Sequence, residues 1–166
     1  MQASLIERPL AYFVGLRFTA PFETLDDAQN QTRKSLLTRQ FEIDGIINAY
    51  EQLGVTKPNE TELNEDQVTT YIGFQVSRYK DIPKDMVSID LAPGRYAQFL
   101  WKGPFDSEEF ESFYPSIFSW MQQQNLAPSQ ASPWIEIYGK DNDWEDRSDP
   151  RNELIVLMPL GGPTSR

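Results

Sequence analysis

The chain of 166 residues contains no cysteine and no histidine. Without cysteine it can form neither a disulfide nor a thiolate metal site. Without histidine it lacks the commonest metal ligand, the usual general base and every Ser-His or Cys-His pair. We therefore expect no metal and no cofactor, and any general base in this protein would have to be a carboxylate.

Positive charge is also scarce. There are 15 lysines and arginines against 25 acidic residues, which gives a formal net charge of −10. Such a surface is repelled by phosphate backbones, so the composition argues against direct nucleic-acid binding and favours a basic or cationic partner.

Long apolar runs are missing as well. No stretch approaches the roughly 18 apolar residues that a membrane span requires. The opening MQASLIERPLAYF lacks the positive region and long apolar run of a signal peptide. We expect a soluble cytoplasmic protein that does not bind membranes.

The composition predicts one domain, over residues 1–166, because 39% of the chain is hydrophobic, enough for a real core. Residues rich in β-favouring and aromatic side chains predict strands at 8–20, 69–77, 86–91, 95–103, 134–140 and 152–160. Gly73, inside one of these strands, suggests a bulge or a close approach by another chain segment.

Two helices are predicted between these strands. The first covers about 24–53, because its apolar residues fall at spacings of three and four, and Gly54 would be its C-cap. The second begins at a capping box formed by Asp106 and Glu109, and Pro115 predicts a kink or a restart within it. The apolar stripe of the first helix comprises Ile43, Ile46, Ile47, Tyr50 and Leu53.

The order strand–helix–strand–strand therefore occurs twice, in about 8–91 and about 94–161. This repeat predicts an α+β fold of two pseudo-twofold-related modules with antiparallel sheets. A cleft between two similar halves is a common place for a ligand, so we expect a central groove.

The stretch WIEIY (134–138) places three unlike side chains on one face of a strand. Side chains alternate along a strand, so Trp134, Glu136 and Tyr138 share a face that Ile135 and Ile137 do not. Desolvation makes a carboxylate among rings expensive to keep ionised, unless a cation pairs with it. Ring faces add about 0.5–2 kcal/mol of attraction for that cation. The pattern indicates a site that selects lipophilic cations. The alternative is that this face of the strand is simply exposed to solvent.

Three stretches also resemble one family. APGRYAQFLWKGP (92–104) is similar to the Pro-Gly-x-Tyr-Ala-x-Phe…Gly-Pro segment of GyrI-like small-molecule-binding domains, the effector-binding domains of AraC- and MerR-type transcription regulators. WIEIYGKD resembles the Glu-x-Tyr strand of that family, and ELIVLMPL resembles its final Ile-x-x-Pro strand. The resemblance covers about residues 8–161.

The resemblance implies a central groove for organic ligands, with Glu136 as the buried glutamate that faces cationic, aromatic drugs. We place Tyr71, Tyr96, Trp101 and Phe13 with Trp134 and Tyr138 as candidate groove residues. Strand alternation sets Tyr96 and Trp101 on opposite faces, so only one of these two can line the groove. The chain has no room for a helix-turn-helix domain, and it therefore resembles a stand-alone member.

The leading hypothesis is a non-catalytic binding module for an amphipathic, cationic or aromatic small molecule. The resemblance also implies two alternatives. Some stand-alone relatives hydrolyse strained electrophilic natural products. If this chain did the same, Glu136 would be the general base and Tyr71 or Tyr96 its hydrogen-bond donor. The namesake of the family restrains DNA gyrase, so an acidic surface could instead bind a protein partner.

The loop that follows the WIEIY strand superficially resembles a calcium site. A calcium loop starting at Asp141 needs glycine at its sixth position and glutamate at its twelfth, but Asp146 and Asn152 stand there. We expect a solvated acidic loop without a metal. Trp144, in its middle, is a candidate lid over the mouth of the groove, with a place in the solvated loop as the alternative.

Overall fold

Eight antiparallel strands form one sheet, in the order β1-β6-β8-β7-β3-β4-β2-β5. The coordinates are a computed structural model, which describes residues 1–58, 67–143 and 145–161. The helices are α1 (Leu25–Arg39), α2 (Glu108–Glu111) and α3 (Phe113–Gln123). The strands are β1 (Gln2–Arg8), β2 (Ala11–Pro21), β3 (Gln52–Thr56), β4 (Gln67–Val76), β5 (Met86–Leu91), β6 (Gly94–Lys102), β7 (Trp134–Tyr138) and β8 (Glu153–Pro159).

The two halves of the chain use the same strand order. The first half runs β2-α1-β3-β4 and the second runs β6-α2-α3-β7-β8, and in the sheet the third strand of each lies between the other two. The halves meet where β3 pairs with β7, and β5 and β1 each add one strand at an end. The α+β class is confirmed, while the twofold axis and the division into modules stay predictions.

Two short connections force this sheet to curl. Pro9 and Leu10 join β1 to β2, and Ala92 and Pro93 join β5 to β6, yet each pair of strands is six places apart in the sheet. Six places in a flat sheet would separate strands by roughly 29 Å, at about 4.8 Å per strand. Two linking residues reach only about 10 Å. The ends of the sheet must therefore approach each other.

The curl creates an inner face that packs against itself. Its buried residues come from strands at both ends and in the middle of the sheet: Ala11, Phe13, Leu53, Val55, Tyr71, Ile89, Leu91, Tyr96, Ile135 and Leu157. Gly15 and Gly73 face each other across β2 and β4, and a Cβ on Gly73 would lie 2.1 Å from the carbonyl oxygen of Val14. The close approach predicted at Gly73 is therefore confirmed, with β2 as the approaching segment.

The helices cover the outer face of the sheet. Leu36 of α1 packs on the first half, with Ile72 and Phe74 of β4. Phe113 and Ile117 of α3 pack on the second half, in a cluster with residues of β6 and β8. The two helices leave the central strands between them open. In the described part of the chain no helix has the length and apolarity needed to cross a membrane.

The helix predicted over 24–53 is wrong in its second half. The helix α1 ends at Arg39, and β3 begins at Gln52. Gly45 adopts a left-handed φ of +77°, which a continuing helix does not allow. Ile43 packs beneath α1 and Leu53 points into the curled sheet, so their helical spacing was coincidental.

Smaller differences concern where elements begin. The strand β1 was missed, although it pairs with β6 along its whole length. The N-cap of α2 is Ser107, whose Oγ accepts from the backbone N–H of Phe110 at 3.1 Å, so the predicted cap at Asp106 is one residue early. The restart predicted near Pro115 occurs at Ser112, between α2 and α3.

Candidate ligand-binding site

A cavity of about 430 Å³ lies between α1 on one side and α2 and α3 on the other. This volume is within the range of roughly 300–1,000 Å³ that is usual for small-molecule sites. Its walls are mainly aromatic and aliphatic: Phe18, Phe22, Leu25, Val68, Phe105, Phe110, Tyr114, Trp134, Tyr138 and Leu154. Its polar lining residues are Asp26, Gln29, Asn30, Thr56, Thr70, Glu136, Asp143 and Arg147.

The strand β7 supplies the central strip of this cavity. Trp134, Glu136 and Tyr138 all line it, whereas Ile135 is fully buried on the curled inner face and Ile137 packs beside it. The alternation in WIEIY therefore separates a cavity-facing side from a core-facing side, and ligand binding by the first side stays a prediction. The indole Nε1 of Trp134 is buried and has no hydrogen-bond acceptor among the described residues.

Two tyrosines hold the carboxylate of Glu136. The hydroxyl of Tyr138 donates to Glu136 Oε2 at 2.8 Å, and Gln29 Nε2 donates to that same hydroxyl at 3.0 Å. Tyr114, from α3, lies beside Glu136 and also lowers the pKa of its carboxyl group. An acceptor that receives phenol O–H donors has its ionised form stabilised and its orientation fixed.

A buried arginine, Arg33, packs against the ring of Tyr138. Arg33 is 2% exposed, and its guanidinium lies 5.4 Å from the centre of the Tyr138 ring. Its Nε donates to Gln52 Oε1 at 2.7 Å and its Nη1 to Asn30 Oδ1 at 3.0 Å. Burial lowers the pKa of Arg33 to about 10, against the opposing attraction of Tyr138 and Glu136. Arg33 is therefore still a cation at neutral pH.

The surroundings of Glu136 have opposing effects on its pKa. Burial raises the pKa of Glu136, while hydrogen bonds from Tyr138 and Tyr114 and the charge of Arg33 lower it. The net direction is upward. Hydrogen-bond donors and a nearby cation therefore accompany this carboxylate, so it is not the isolated charge among rings that the WIEIY pattern suggests.

Gly54 explains how the Tyr138 ring fits over the neighbouring strand. It lies in β3 directly opposite Glu136, and not at the end of a helix as predicted. A Cβ on Gly54 would lie 3.4 Å from Tyr138 Cε2 and 3.6 Å from Glu136 Cβ. A methyl group would fit there in van der Waals contact with the ring, and a longer side chain would meet the ring and the carboxylate's own side chain.

The structure places the other predicted groove residues elsewhere. Phe13, Tyr71 and Tyr96 are buried on the inner face of the curl, opposite Glu136. Register explains this, because Tyr71 pairs with Val55 and Val55 pairs with Ile135, which alternates away from Glu136.

Trp101 lies on the face of Glu136 but outside the cavity. Its ring packs 5.3 Å from that of Phe110 and 5.7 Å from that of Phe113, and its Nε1 donates to the carbonyl oxygen of Gly103 at 3.2 Å. Trp101 therefore supports the helix that borders the cavity and does not line it.

Sequence reasoning missed Tyr114, Gln29 and Arg33. A signal existed for Tyr114, since Phe110, Tyr114 and Phe118 are four residues apart and form a second aromatic stripe; Phe118 reaches within 5.7 Å of the Trp134 ring. Gln29 and Arg33 are likewise four residues apart and share one face of α1. Only the packing of α1 against β7 shows what that face contacts.

Exposed ion pairs link α1 to the loop between β7 and β8. Arg147 Nη1 lies 3.3 Å from Asp26 Oδ2, and both residues line the cavity. Lys34 Nζ lies 3.2 Å from Glu145 Oε1 farther along the helix. Trp144, predicted as a lid, lies outside the described residues.

The acidic loop itself is organised by its own side chains. The carboxylates of Asp143, Asp146 and Asp149 lie within 4.8 Å of one another. Asp143 Oδ1 accepts the backbone N–H groups of Glu145 and Asp146, and Arg151 Nη2 donates to Asp149 Oδ2 at 2.7 Å. These contacts account for the cluster as loop geometry.

Comparisons with known proteins place this geometry in context. The profile of the GyrI-like small molecule binding domain matches residues 1–156. The structure of SAV2435 bound to tetraphenylphosphonium is similar, with a TM-score of 0.72 at 17% identity, covering 98% of this chain and 95% of that one. The C-terminal domain of EcmrR gives a TM-score of 0.72 at 14% identity, with 98% of each chain covered.

A more distant fold relative is a hydrolase encoded by lin2189 from Listeria innocua. Its TM-score is 0.57 at 13% identity, and the match covers 96% of this chain and 92% of that one. No curated protein matches the chain in sequence. At these identities the solved structures establish the shared fold and nothing finer.

Proposed function

The chain belongs to the GyrI-like family of small-molecule-binding domains, and we propose that its cavity binds an amphipathic, aromatic cation. The observation that carries this proposal is the position of Glu136, whose carboxylate stands in the wall of a cavity lined mainly by rings. A guest with apolar faces and a positive charge satisfies both parts of that wall.

The charges around the cavity favour the same sign of guest. Its lining includes three carboxylates, those of Asp26, Glu136 and Asp143, and one guanidinium, that of Arg147. Arg147 is paired with Asp26, so its charge is already compensated. An anion would meet the carboxylates of Glu136 and Asp143 in a partly desolvated space, where repulsion is strong.

A fold relative supports the chemical class. SAV2435 was solved with tetraphenylphosphonium, a lipophilic cation that carries four phenyl rings around its charge. The aromatic walls of the present cavity suit phenyl groups, and Glu136 suits the charge. Tetraphenylphosphonium is therefore the appropriate first probe for this protein.

The proposal is tested by two ions of equal shape and opposite charge. Isothermal titration calorimetry would compare tetraphenylphosphonium with tetraphenylborate at neutral pH. We expect the phosphonium to bind at least about tenfold more tightly, which corresponds to about 1.4 kcal/mol. Equal affinities, or tighter binding of the borate, would reject a cation site. No heat and no thermal shift with either ion would reject a ligand cavity of this class.

One observation favours a second candidate, hydrolysis at the same groove. Glu136 has a raised pKa and lies among phenol hydroxyls, as a general base for water activation requires. Tyr71 and Tyr96 cannot assist, because they lie on the opposite face of the sheet. Tyr114 and Tyr138 would take that role. Incubation with an aromatic epoxide and mass spectrometry would detect the diol formed by addition of water, and a pure binding module yields none above the uncatalysed level.

A further inference from the structure

Two side chains of α1, those of Gln29 and Arg33, contact Tyr138, whose hydroxyl donates to Glu136. Gln29 donates to the hydroxyl of Tyr138, and Arg33, one turn later, places its guanidinium 5.4 Å from the centre of the same ring. Tyr138 belongs to β7 in the second half of the chain, while α1 belongs to the first. The geometry of the carboxylate therefore depends on a helix from the other half.

Arg33 is held in this place by a dedicated set of acceptors. It is 2% exposed, its Nε donates to Gln52 of β3, and its Nη1 donates to Asn30 of α1. Burying a guanidinium is unfavourable unless acceptors and opposite charge compensate it. Arg33 is absent from the cavity lining, whereas Tyr138 lines it. It acts on the cavity across the Tyr138 ring and does not touch a guest.

We propose that Arg33 is a positioning residue of the cation site: it fixes the Tyr138 ring beside Glu136 and places a positive charge behind that ring, which favours the ionised form of the carboxylate. The proposal rests on the function proposed above and adds a built-in cation that opposes the effect of burial on Glu136. Coulomb attraction falls with distance, so a guest that touches the carboxylate outweighs a guanidinium on the far side of a ring.

Other charged groups also face Glu136, and none of them replaces Arg33. Arg147 is the second guanidinium near the cavity, but it is exposed, paired with Asp26 and screened by solvent. Among the described residues, the titratable and charged groups around Glu136 are Tyr138 on β7, Tyr114 on α3, Asp26 and Arg33 on α1, and Asp143 and Arg147 in the loop before β8.

The charge of Glu136 can be measured without a ligand. Carbon-13 NMR would follow the side-chain carboxyl carbon of Glu136, assigned with Glu136→Gln, as a function of pH. In Arg33→Met we expect the midpoint of titration to rise by about one pH unit, because a nearby cation stabilises the ionised form. The matched control is Lys34→Met, which removes an exposed charge from the same helix and should leave the midpoint unchanged. An unchanged midpoint in Arg33→Met would overturn the proposal.

A conservative variant separates charge from packing. Arg33→Lys keeps the positive charge and loses the two-point contact with Gln52 and Asn30. We expect its Glu136 midpoint to stay near that of the wild type. A midpoint raised by about one pH unit above that of the wild type would contradict the electrostatic role, and this result remains available if Arg33→Met does not fold.

Binding of tetraphenylphosphonium gives the functional readout. Arg33→Met should lose about tenfold in affinity at a pH below the midpoint that NMR gives for Glu136 in this variant, and recover most of it at a pH above that midpoint, where the carboxylate is ionised. A purely structural defect would lower affinity equally at both values, and that outcome would overturn the proposal. A wild-type protein that binds no phosphonium at any pH would reject the proposed function, while the NMR titration would still decide the role of Arg33.

Discussion

Four tyrosines divide evenly between the two faces of the sheet. Tyr71 and Tyr96 are buried on the curled inner face, and Tyr114 and Tyr138 border the cavity on the outer face. The hydroxyl of Tyr96 donates to the backbone carbonyl of Ala92 at 2.6 Å, in the connection between β5 and β6. On the inner face the phenol therefore secures a turn of the chain.

On the outer face the phenols are bonded to a carboxylate. Tyr138 donates to Glu136 and accepts from Gln29, and Tyr114 completes the contact from α3. Burial raises the pKa of Tyr96 and of Tyr138 alike, so burial alone does not distinguish the faces. The two faces differ in what the phenols contact. Of these two pairs of tyrosines, only the outer pair lies beside a carboxylate, and that carboxylate lines the cavity.

The largest effect is expected from Glu136→Gln, which removes the charge and keeps the shape. Affinity for tetraphenylphosphonium should fall about 30-fold, or about 2 kcal/mol, because the guest loses its buried charge partner. Affinity for tetraphenylborate should rise, and the preference between the two ions should disappear. Calorimetry measures both. A phosphonium affinity within about twofold of the wild type would show that Glu136 does not select charge.

Acidification should reproduce this loss in the wild type. Because burial raises the pKa of Glu136 in the folded state, its side chain protonates at a higher pH than an ordinary carboxyl group, and phosphonium affinity should fall as pH is lowered through that pKa. The contribution of Glu136 to the free energy of unfolding has the opposite trend. A raised folded-state pKa means that the folded protein binds this proton more tightly, so that contribution is greatest at low pH and is lost as pH rises through the folded pKa. Both dependences should be absent in Glu136→Gln, as calorimetry and urea denaturation at several pH values would reveal.

Removing one hydroxyl from each face should separate the two roles. Tyr138→Phe should weaken phosphonium binding about fivefold and lower the free energy of unfolding by about 1–2 kcal/mol, because Glu136 and Gln29 both lose a partner. Tyr96→Phe should lower the free energy of unfolding by about 1 kcal/mol and leave phosphonium affinity unchanged. Calorimetry with urea denaturation distinguishes these outcomes. A loss of affinity in Tyr96→Phe equal to that in Tyr138→Phe would contradict the division between the faces.

The smallest effect concerns the mouth of the cavity. Arg147→Ala removes a positive charge beside the guest, so phosphonium affinity should rise about twofold to threefold at low ionic strength and by less in salt. The control is Arg151→Ala, in the same loop but bonded to Asp149 and outside the lining. Titrations at low and high salt test this. An increase of the same size in Arg151→Ala would mean that only the net charge of the protein matters.

The face of β7 could be predicted from sequence because strand alternation is a local rule. Trp134, Glu136 and Tyr138 follow from the two-residue period alone. The faces of Phe13, Tyr71 and Tyr96 could not be predicted, since they depend on strand register across the sheet, which local pattern does not encode. The same limit hid the contact of Arg33 with Tyr138, which joins residues more than one hundred positions apart.

The fold shows the same division between local and distant causes. The repeated order of elements was legible, because each strand and helix carries its own period. The end of α1 could not be predicted. Ile43 and Leu53 have the spacing of a helical stripe, but they pack in two different hydrophobic clusters. Gly54 was predicted to be a helix cap, but it lies in β3, beside the ring of Tyr138 from the other half of the chain.

The most direct test of the account is a crystal structure of the protein soaked with tetraphenylphosphonium. The account predicts the cation between α1 and α3, with its phenyl groups against Trp134 and Phe110 and its charge facing Glu136. A cation bound on the outer surface, with the cavity beside Glu136 unoccupied at saturating concentration, would contradict it.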